Sequence, residues 1–168
     1  MSDGCGAAVE VELLADRPDL VEPLARIRWT DWNDEPGREH LAFWVDGLRM
    51  ECGRDAVPVA FVAVDGAGKV VGGVSLTPAD LTEAERRGRA PWVNGMIVRA
   101  DRRDAGVGTA LMRSLTQWAG RAGIDRAWVV TGGRAVDFYR RCGWSAVETV
   151  VVGDGEEATV LSRTFDAG

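Results

Sequence analysis

Glycines and arginines crowd one short stretch, Arg99-Ala100-Asp101-Arg102-Arg103-Asp104-Ala105-Gly106-Val107-Gly108-Thr109. Gly106 and Gly108 carry no side chain, so a second molecule can approach the backbone closely there. Val107, Ala110, Leu111, Leu115, Trp118 and Ala122 then recur at helical spacing, which starts a helix at the glycines. The first N–H groups of a helix have no partner inside it and lie at the positive end of its dipole. The backbone from Arg103 through Asp104, Ala105, Gly106, Val107 and Gly108 to Thr109 therefore suits an anion, with Arg102 and Arg103 beside it. The plainer reading is a glycine-started helix whose arginines solvate a surface turn. Spacing narrows the choice of anion. A dinucleotide fingerprint would place a further glycine where Leu111 stands, and a Walker loop would need Gly-Lys-Ser or Gly-Lys-Thr, which is absent.

A second stretch carries different chemistry: Ala135-x-x-Phe138-Tyr139-x-x-x-Gly143-Trp144. Tyr139 is the only tyrosine of the chain. A phenol with a pKa of about 10 is protonated at neutral pH and can give its proton to a thiolate whose acid has a pKa of about 8.5. Packing against a sheet is the alternative use of a Phe-Tyr pair on a short helix. Cys142 lies beside the pair with no histidine near it in sequence, which favours packing over a nucleophile.

These stretches need elements to hold them, and the pattern supplies a strand or a helix at each step. Ala8 to Leu14 alternates as a half-buried strand, and Leu20, Leu24 and Ile27 give a short helix. Asp31 to Gly37 reads as a loop, and Leu41, Trp44, Val45 and Leu48 as a second helix running to about Cys52. Val59–Val64 and Val70–Leu76 form a hairpin about Asp65-Gly66-Ala67-Gly68-Lys69. Pro78 to Pro91 is a polar connection, and Val93–Val98 the strand that enters the glycine loop. Gly123 ends the long helix, Ala127–Thr131 is a short apolar strand, and Arg134–Cys142 a short helix stopped by Gly143. Val147–Val152 and Ala158–Phe165 close the chain as a hairpin about Gly153-Asp154-Gly155. The expected fold class is mixed α/β (α+β), with residues 1–168 as one domain.

The totals exclude several classes. A net charge of −6 over 168 residues argues against nucleic-acid binding, which needs a basic face. The longest apolar run, Ala56–Val64, has nine residues, too few to span a bilayer. Met1-Ser2-Asp3-Gly4 lacks a basic region and an apolar core, so no secretory signal is expected. Cys5, Cys52 and Cys142 are odd in number and scattered, which predicts neither a disulfide framework nor a metal site and suits the cytoplasm.

Taken together, Arg103-x-x-Gly106-x-Gly108, the Ala135 to Trp144 segment and the order of elements from Val9 to Phe165 resemble the GNAT superfamily of acyl-CoA-dependent N-acetyltransferases. The resemblance implies a central, mostly antiparallel sheet of about seven strands with four helices. It implies that the loop holds the pyrophosphate of acetyl-CoA, and that backbone groups of Met96, Ile97 and Val98 pair with pantetheine like an added strand. One of those N–H groups would polarise the thioester carbonyl. Phe138, Tyr139 and Arg141 would stand on the helix beside the cofactor, with Tyr139 as general acid.

Two family positions differ. Gly132 stands where an asparagine is common, and Ala100 where a proline is common. Many relatives place a basic glutamate in the fourth strand, where this chain has Asn94, which cannot accept a proton. The proton of the acceptor amine could instead pass to Asp31, Asp34, Glu35, Glu39 or His40, or to water. Trp29, Trp32, Phe43 and Trp44 cluster in the same region, which in this fold forms the acceptor wall, and aromatics with carboxylates suit a cationic amine. The acceptor is thus expected to be a small-molecule or peptide amine. The other function consistent with the residues is an acyl-CoA-binding sensor or interaction module without catalysis. By the same resemblance, the closing hairpin offers an edge that relatives use to form homodimers.

Overall fold

The computed structural model describes residues 8–78, 88–153 and 155–166. Strands β1 (Glu10–Leu13), β2 (Val59–Val64), β3 (Val70–Thr77), β4 (Trp92–Val98), β5 (Arg126–Thr131), β6 (Ser145–Val152) and β7 (Glu156–Thr164) form one sheet. Their spatial order is β1-β2-β3-β4-β5-β7-β6. Every neighbouring pair is antiparallel except β4 with β5. Helices α1 (Val21–Trp32), α2 (Leu41–Met50), α3 (Val107–Arg121) and α4 (Arg134–Arg141) cover it. The mixed α/β architecture expected from the pattern is the one found.

β2 and β3 read as continuous β-branched runs because both of their faces are covered, and every residue in them is buried. One core layer joins Phe61, Val74, Leu111, Leu115 and Tyr139; the other joins Leu24, Leu48, Val62 and Ile97. The pair Gly72-Gly73 lets helices press on the sheet from opposite sides. A Cβ on Gly73 would stand 2.7 Å from Leu24 of α1, and one on Gly72 would stand 3.3 Å from Val107 of α3.

Several boundaries differ from the pattern. Leu14 leaves the first strand for a 3₁₀ turn, Leu14–Asp16, where its side chain is buried. α1 runs on to Trp32, through Asp31 and Trp32 that read as loop. The extra turn is held by aromatic packing: the Trp32 ring lies 5.8 Å from that of Trp44, and Trp29 Nε1 donates to the Glu39 carbonyl at 2.9 Å. Gly123 and Gly143 stop α3 and α4 as expected. In α3, Gly123 N donates to Gly120 O and Ile124 N to Ala119 O; in α4, Gly143 N donates to Arg140 O and Trp144 N to Tyr139 O. Cys5, residues 79–87 of the polar connection and Asp154 of the closing turn lie outside the described residues.

Candidate functional site

The parallel pair β4–β5 is joined only at Trp92 and Trp128, with Trp128 N donating to Pro91 O at 3.0 Å. Beyond that point the strands diverge, so β4 from Asn94 to Val98 has no ladder partner on the β5 side. Its other edge is paired with β3, where Ser75 faces Asn94 and Gly73 faces Ile97. Two steps on β3 thus match three on β4, a bulge at Gly95-Met96, with Gly95 in the left-handed region at φ 62°. A cleft of about 810 Å³ fills the divergence. β4 contributes Asn94, Gly95 and Met96, β5 contributes Val129, Val130 and Thr131, and Gly132 and Tyr139 also line it. Trp32, Phe43 and Trp44 line the α1–α2 side.

The glycine loop leaves β4 by a 3₁₀ turn, Ala100–Arg102, and enters α3 at Gly106. Asp104 and Gly106 both take left-handed backbone, φ 62° and 84°. No side-chain hydrogen bond caps the helix start at Gly106, so the N–H groups that open α3 are left without a capping side chain. Arg103, Asp104, Ala105, Gly106 and Thr109 are exposed, whereas the Val107 side chain belongs to the core and offers the site only its backbone. Gly108 has a use that spacing did not reveal. A Cβ there would stand 3.1 Å from the Phe138 ring, so the glycine lets α4 pack against the start of α3.

The arginines around the loop are paired. Arg103 Nη2 donates to Asp31 Oδ2 at 2.6 Å and its Nε to the Val98 carbonyl at 3.0 Å. Arg102 Nη1 bonds Asp65 Oδ2 at 3.2 Å, and Arg99 pairs with Asp101. Arg141 stands elsewhere, in an outer groove between α3 and α4 with Thr109, Met112 and Arg113. Met96 reaches the cleft, while Ile97 turns its side chain into the α1–α2 core layer.

Tyr139 is 3% exposed, with Phe138 and Trp144 packed edge-on at 5.2 and 5.8 Å. Burial pushes its phenol well above the ordinary range, and Cys142 adds to the effect. The group is therefore neutral through the physiological range and faces the cleft protonated. Burial also raises the Cys142 thiol, in keeping with packing rather than nucleophilic use.

A buried polar cluster under the bulge was not read from the sequence. Arg28, 5% exposed, donates from Nε to the Gly95 carbonyl at 3.2 Å, from Nη2 to Ser75 Oγ at 3.1 Å and from Nη1 to Glu51 Oε2 at 3.3 Å. Ser75 Oγ in turn donates to Glu51 Oε2 at 2.6 Å. Burial pulls the guanidinium below its ordinary pKa and Glu51 opposes that pull. A signal was available: Leu20, Leu24 and Arg28 fall on one stripe of the helix, so a charge occupies a core position. Of the expected proton acceptors, Glu35 lines the cleft and is paired with Arg38, and Asp31 is held by Arg103. Glu39 accepts the Gly37 N–H at 3.1 Å, and the exposed His40 immediately precedes α2. Asp34, Glu39 and His40 are not among the cleft-lining residues.

Comparisons with known proteins bear on this geometry. Residues 21–144 match the model of the Acetyltransferase (GNAT) family, and no curated protein matches the chain in sequence. An aminoglycoside 6'-N-acetyltransferase complexed with coenzyme A is 15% identical, with 92% of this chain and 96% of that one covered at a TM-score of 0.71. A GNAT-family acetyltransferase from Streptococcus pneumoniae is 17% identical over 94% and 99% of the two chains, with a TM-score of 0.69. Ard1 from Thermoplasma volcanium is 18% identical over 94% and 98%, with a TM-score of 0.70. At such identities the structures speak for the fold alone. The family model reaches from the start of α1 to Trp144, across the split strands, the glycine loop and the Phe138-Tyr139 helix, and the chain belongs to the GNAT family of acetyltransferases.

Proposed function

We propose that this acetyltransferase moves the acetyl group of acetyl-CoA to the nitrogen of a cationic primary amine, by direct attack within a ternary complex. The observation that carries the reading is the divergence of β4 from β5, which opens beside the bare N-terminus of α3. The unpaired edge of β4 offers Met96, Ile97 and Val98 backbone groups to a pantetheine arm, as a missing strand would be received. The loop from Arg103 to Thr109 then receives the pyrophosphate on its N–H groups. A donor N–H at the bulge polarises the thioester carbonyl, already aimed before reaction. Attack by the neutral amine forms the C–N bond and breaks the C–S bond, and the electron pair leaves on sulfur. Tyr139 gives the proton that makes the free thiol and regains one from the new amide nitrogen as that nitrogen sheds its second proton. Its burial disfavours a lasting phenolate, so the proton is replaced as it is given.

Charge supports a cationic acceptor. Glu35, Glu51, Glu156 and Glu157 line the cleft against Arg28 and Arg38. Trp32, Phe43 and Trp44 give the same cleft an aromatic wall, with Trp32 tilted and Phe43 edge-on against Trp44. Two structural neighbours bear the names of aminoglycoside 6'-acetyltransferases, in keeping with a small-molecule amine as acceptor. The test is thiol release from acetyl-CoA by the purified protein with an aminoglycoside, spermidine, free lysine or a short peptide. Thiol release that depends on an amine supports the reading. Acetyl-CoA bound without thiol release by any of the four contradicts it.

A further inference from the structure

Glu51 is a cleft carboxylate held by two side chains through one oxygen, which leaves its other oxygen unused. It stands just past the last residue of α2, where the chain turns away from the helix. Its Oε2 takes both bonds of the cluster, from Arg28 at 3.3 Å and from Ser75 at 2.6 Å. Among the described residues, no hydrogen bond or ion pair uses Oε1. The side chain is 17% exposed and lines the cleft together with Asn94, Gly95 and Met96. The Arg28 that orients Glu51 also holds the Gly95 carbonyl, so the carboxylate and the β4 bulge are fixed to one another by one guanidinium. A carboxylate so fixed, with one oxygen bonded inward and the other unused, is built to meet a cation in the cleft.

Resting on the acetyl-transfer reading above, we infer that Glu51 Oε1 receives the acceptor ammonium and takes the proton that frees its lone pair, with Arg28 and Ser75 as positioning residues. The nitrogen loses two protons in the reaction and the CoA thiol gains one, so one proton passes to solvent, and Glu51 is its way out. This supplies the function that Asn94 lacks in the fourth strand. The charged groups that share the cleft with Glu51 are its partner Arg28 from α1 and Glu35, Arg38, Glu156 and Glu157. The neighbouring Cys52 thiol is raised by burial and by Glu51 itself, so it is no rival base.

The pH profile of kcat/KM for the fastest amine of the panel separates a proton acceptor from a structural carboxylate. Below its pKa of about 10, the neutral fraction of an amine rises tenfold with each unit of increasing pH. With Glu51 taking the proton, the wild-type profile is nearly flat from pH 7 to 9. Glu51→Gln keeps hydrogen-bond capacity toward Arg28 and Ser75 but accepts no proton. Its kcat/KM at pH 7 is expected to fall about 100-fold and to recover about tenfold per pH unit, with acetyl-CoA Kd unchanged. Glu51→Asp keeps the counter-charge for Arg28 and withdraws the oxygens by one methylene. It is expected to lower kcat/KM about tenfold and keep the flat profile, and it decides the matter if the glutamine variant does not fold. A pH-independent loss in Glu51→Gln, wild-type kcat/KM in either variant, or a wild-type profile that climbs tenfold per pH unit overturns the inference while acetyl transfer itself stands. Wild-type protein that transfers acetyl to no amine overturns both.

Discussion

Arg103 Nη2 donates to Asp31 Oδ2 over 2.6 Å, tying the glycine loop to the last turn of α1. The guanidinium that sequence spacing assigns to an anion is thus held by a carboxylate in this structure, half exposed and open to exchange. A pyrophosphate arriving at the loop competes with Asp31 for the same donors. Asp31→Asn is therefore expected to tighten acetyl-CoA binding two- to fivefold, and Arg103→Ala to weaken it about tenfold. An exposed pair of this kind contributes less than about 1 kcal/mol, so neither variant shifts the unfolding midpoint by more than a few degrees. Titration calorimetry and thermal unfolding check the two halves.

The two glycines of the loop fail in different ways. Gly106 has open space where a Cβ would stand but sits at φ 84°, so Gly106→Val strains the backbone by about 1–2 kcal/mol and covers the N–H groups of the helix start. The protein stays folded and loses acetyl-CoA binding. Gly108→Ala sets a methyl 3.1 Å from the Phe138 ring and pushes α4 away. It is expected to cost kcat as well as binding, because Tyr139 moves with the helix. Circular dichroism with calorimetry and steady-state kinetics distinguishes the pair.

Tyr139→Phe removes the donor and keeps the ring. The expected result is a kcat lowered 10²-fold or more, with little change in the acetyl-CoA KM. The same variant tests the buried phenol through stability. The folded phenol holds its proton above the ordinary pKa, while the unfolded chain releases it near pH 10. Above that pH the unfolded state binds fewer protons, so stability falls with rising pH by up to about 1.4 kcal/mol per unit. Denaturant titrations between pH 9 and 11 should show the fall in wild type and a shallower one in Tyr139→Phe.

Gly95→Ala attacks the bulge and its clamp at once. The residue is left-handed, and its new methyl would overlap the Arg28 guanidinium. The backbone alone accounts for about 1–2 kcal/mol, and displacing a buried charge from its partners adds to it. A midpoint lowered by 5 °C or more in thermal unfolding, with kcat reduced in whatever remains folded, is the expected outcome.

What was legible in the sequence follows from local rules. Strand and helix types came from period, the ends of α3 and α4 from Gly123 and Gly143, and the loop from the placement of Gly106 and Gly108. Boundaries slipped where tertiary contacts decide, as at Trp32, whose packing on Trp44 carries α1 through an apparent loop. The β4 edge and the glycine loop were legible because they are continuous in sequence. The polar cluster under the bulge was not, since Arg28, Glu51 and Ser75 come from three parts of the chain and meet only after folding. Gly95 shows its purpose only beside Arg28, and Gly108 only beside Phe138. Asp31, a candidate base by neighbourhood, turned out to be the partner of Arg103.

The fate of the acetyl group tests the central claim most directly. Wild-type protein is mixed with isotope-labelled acetyl-CoA and a cationic primary amine, and protein and small molecules are then weighed separately by mass spectrometry. Direct transfer predicts the label on the amine nitrogen, free CoA in equal amount, and no label on the protein. Label retained on CoA in the presence of every amine, or fixed on the protein, would contradict it.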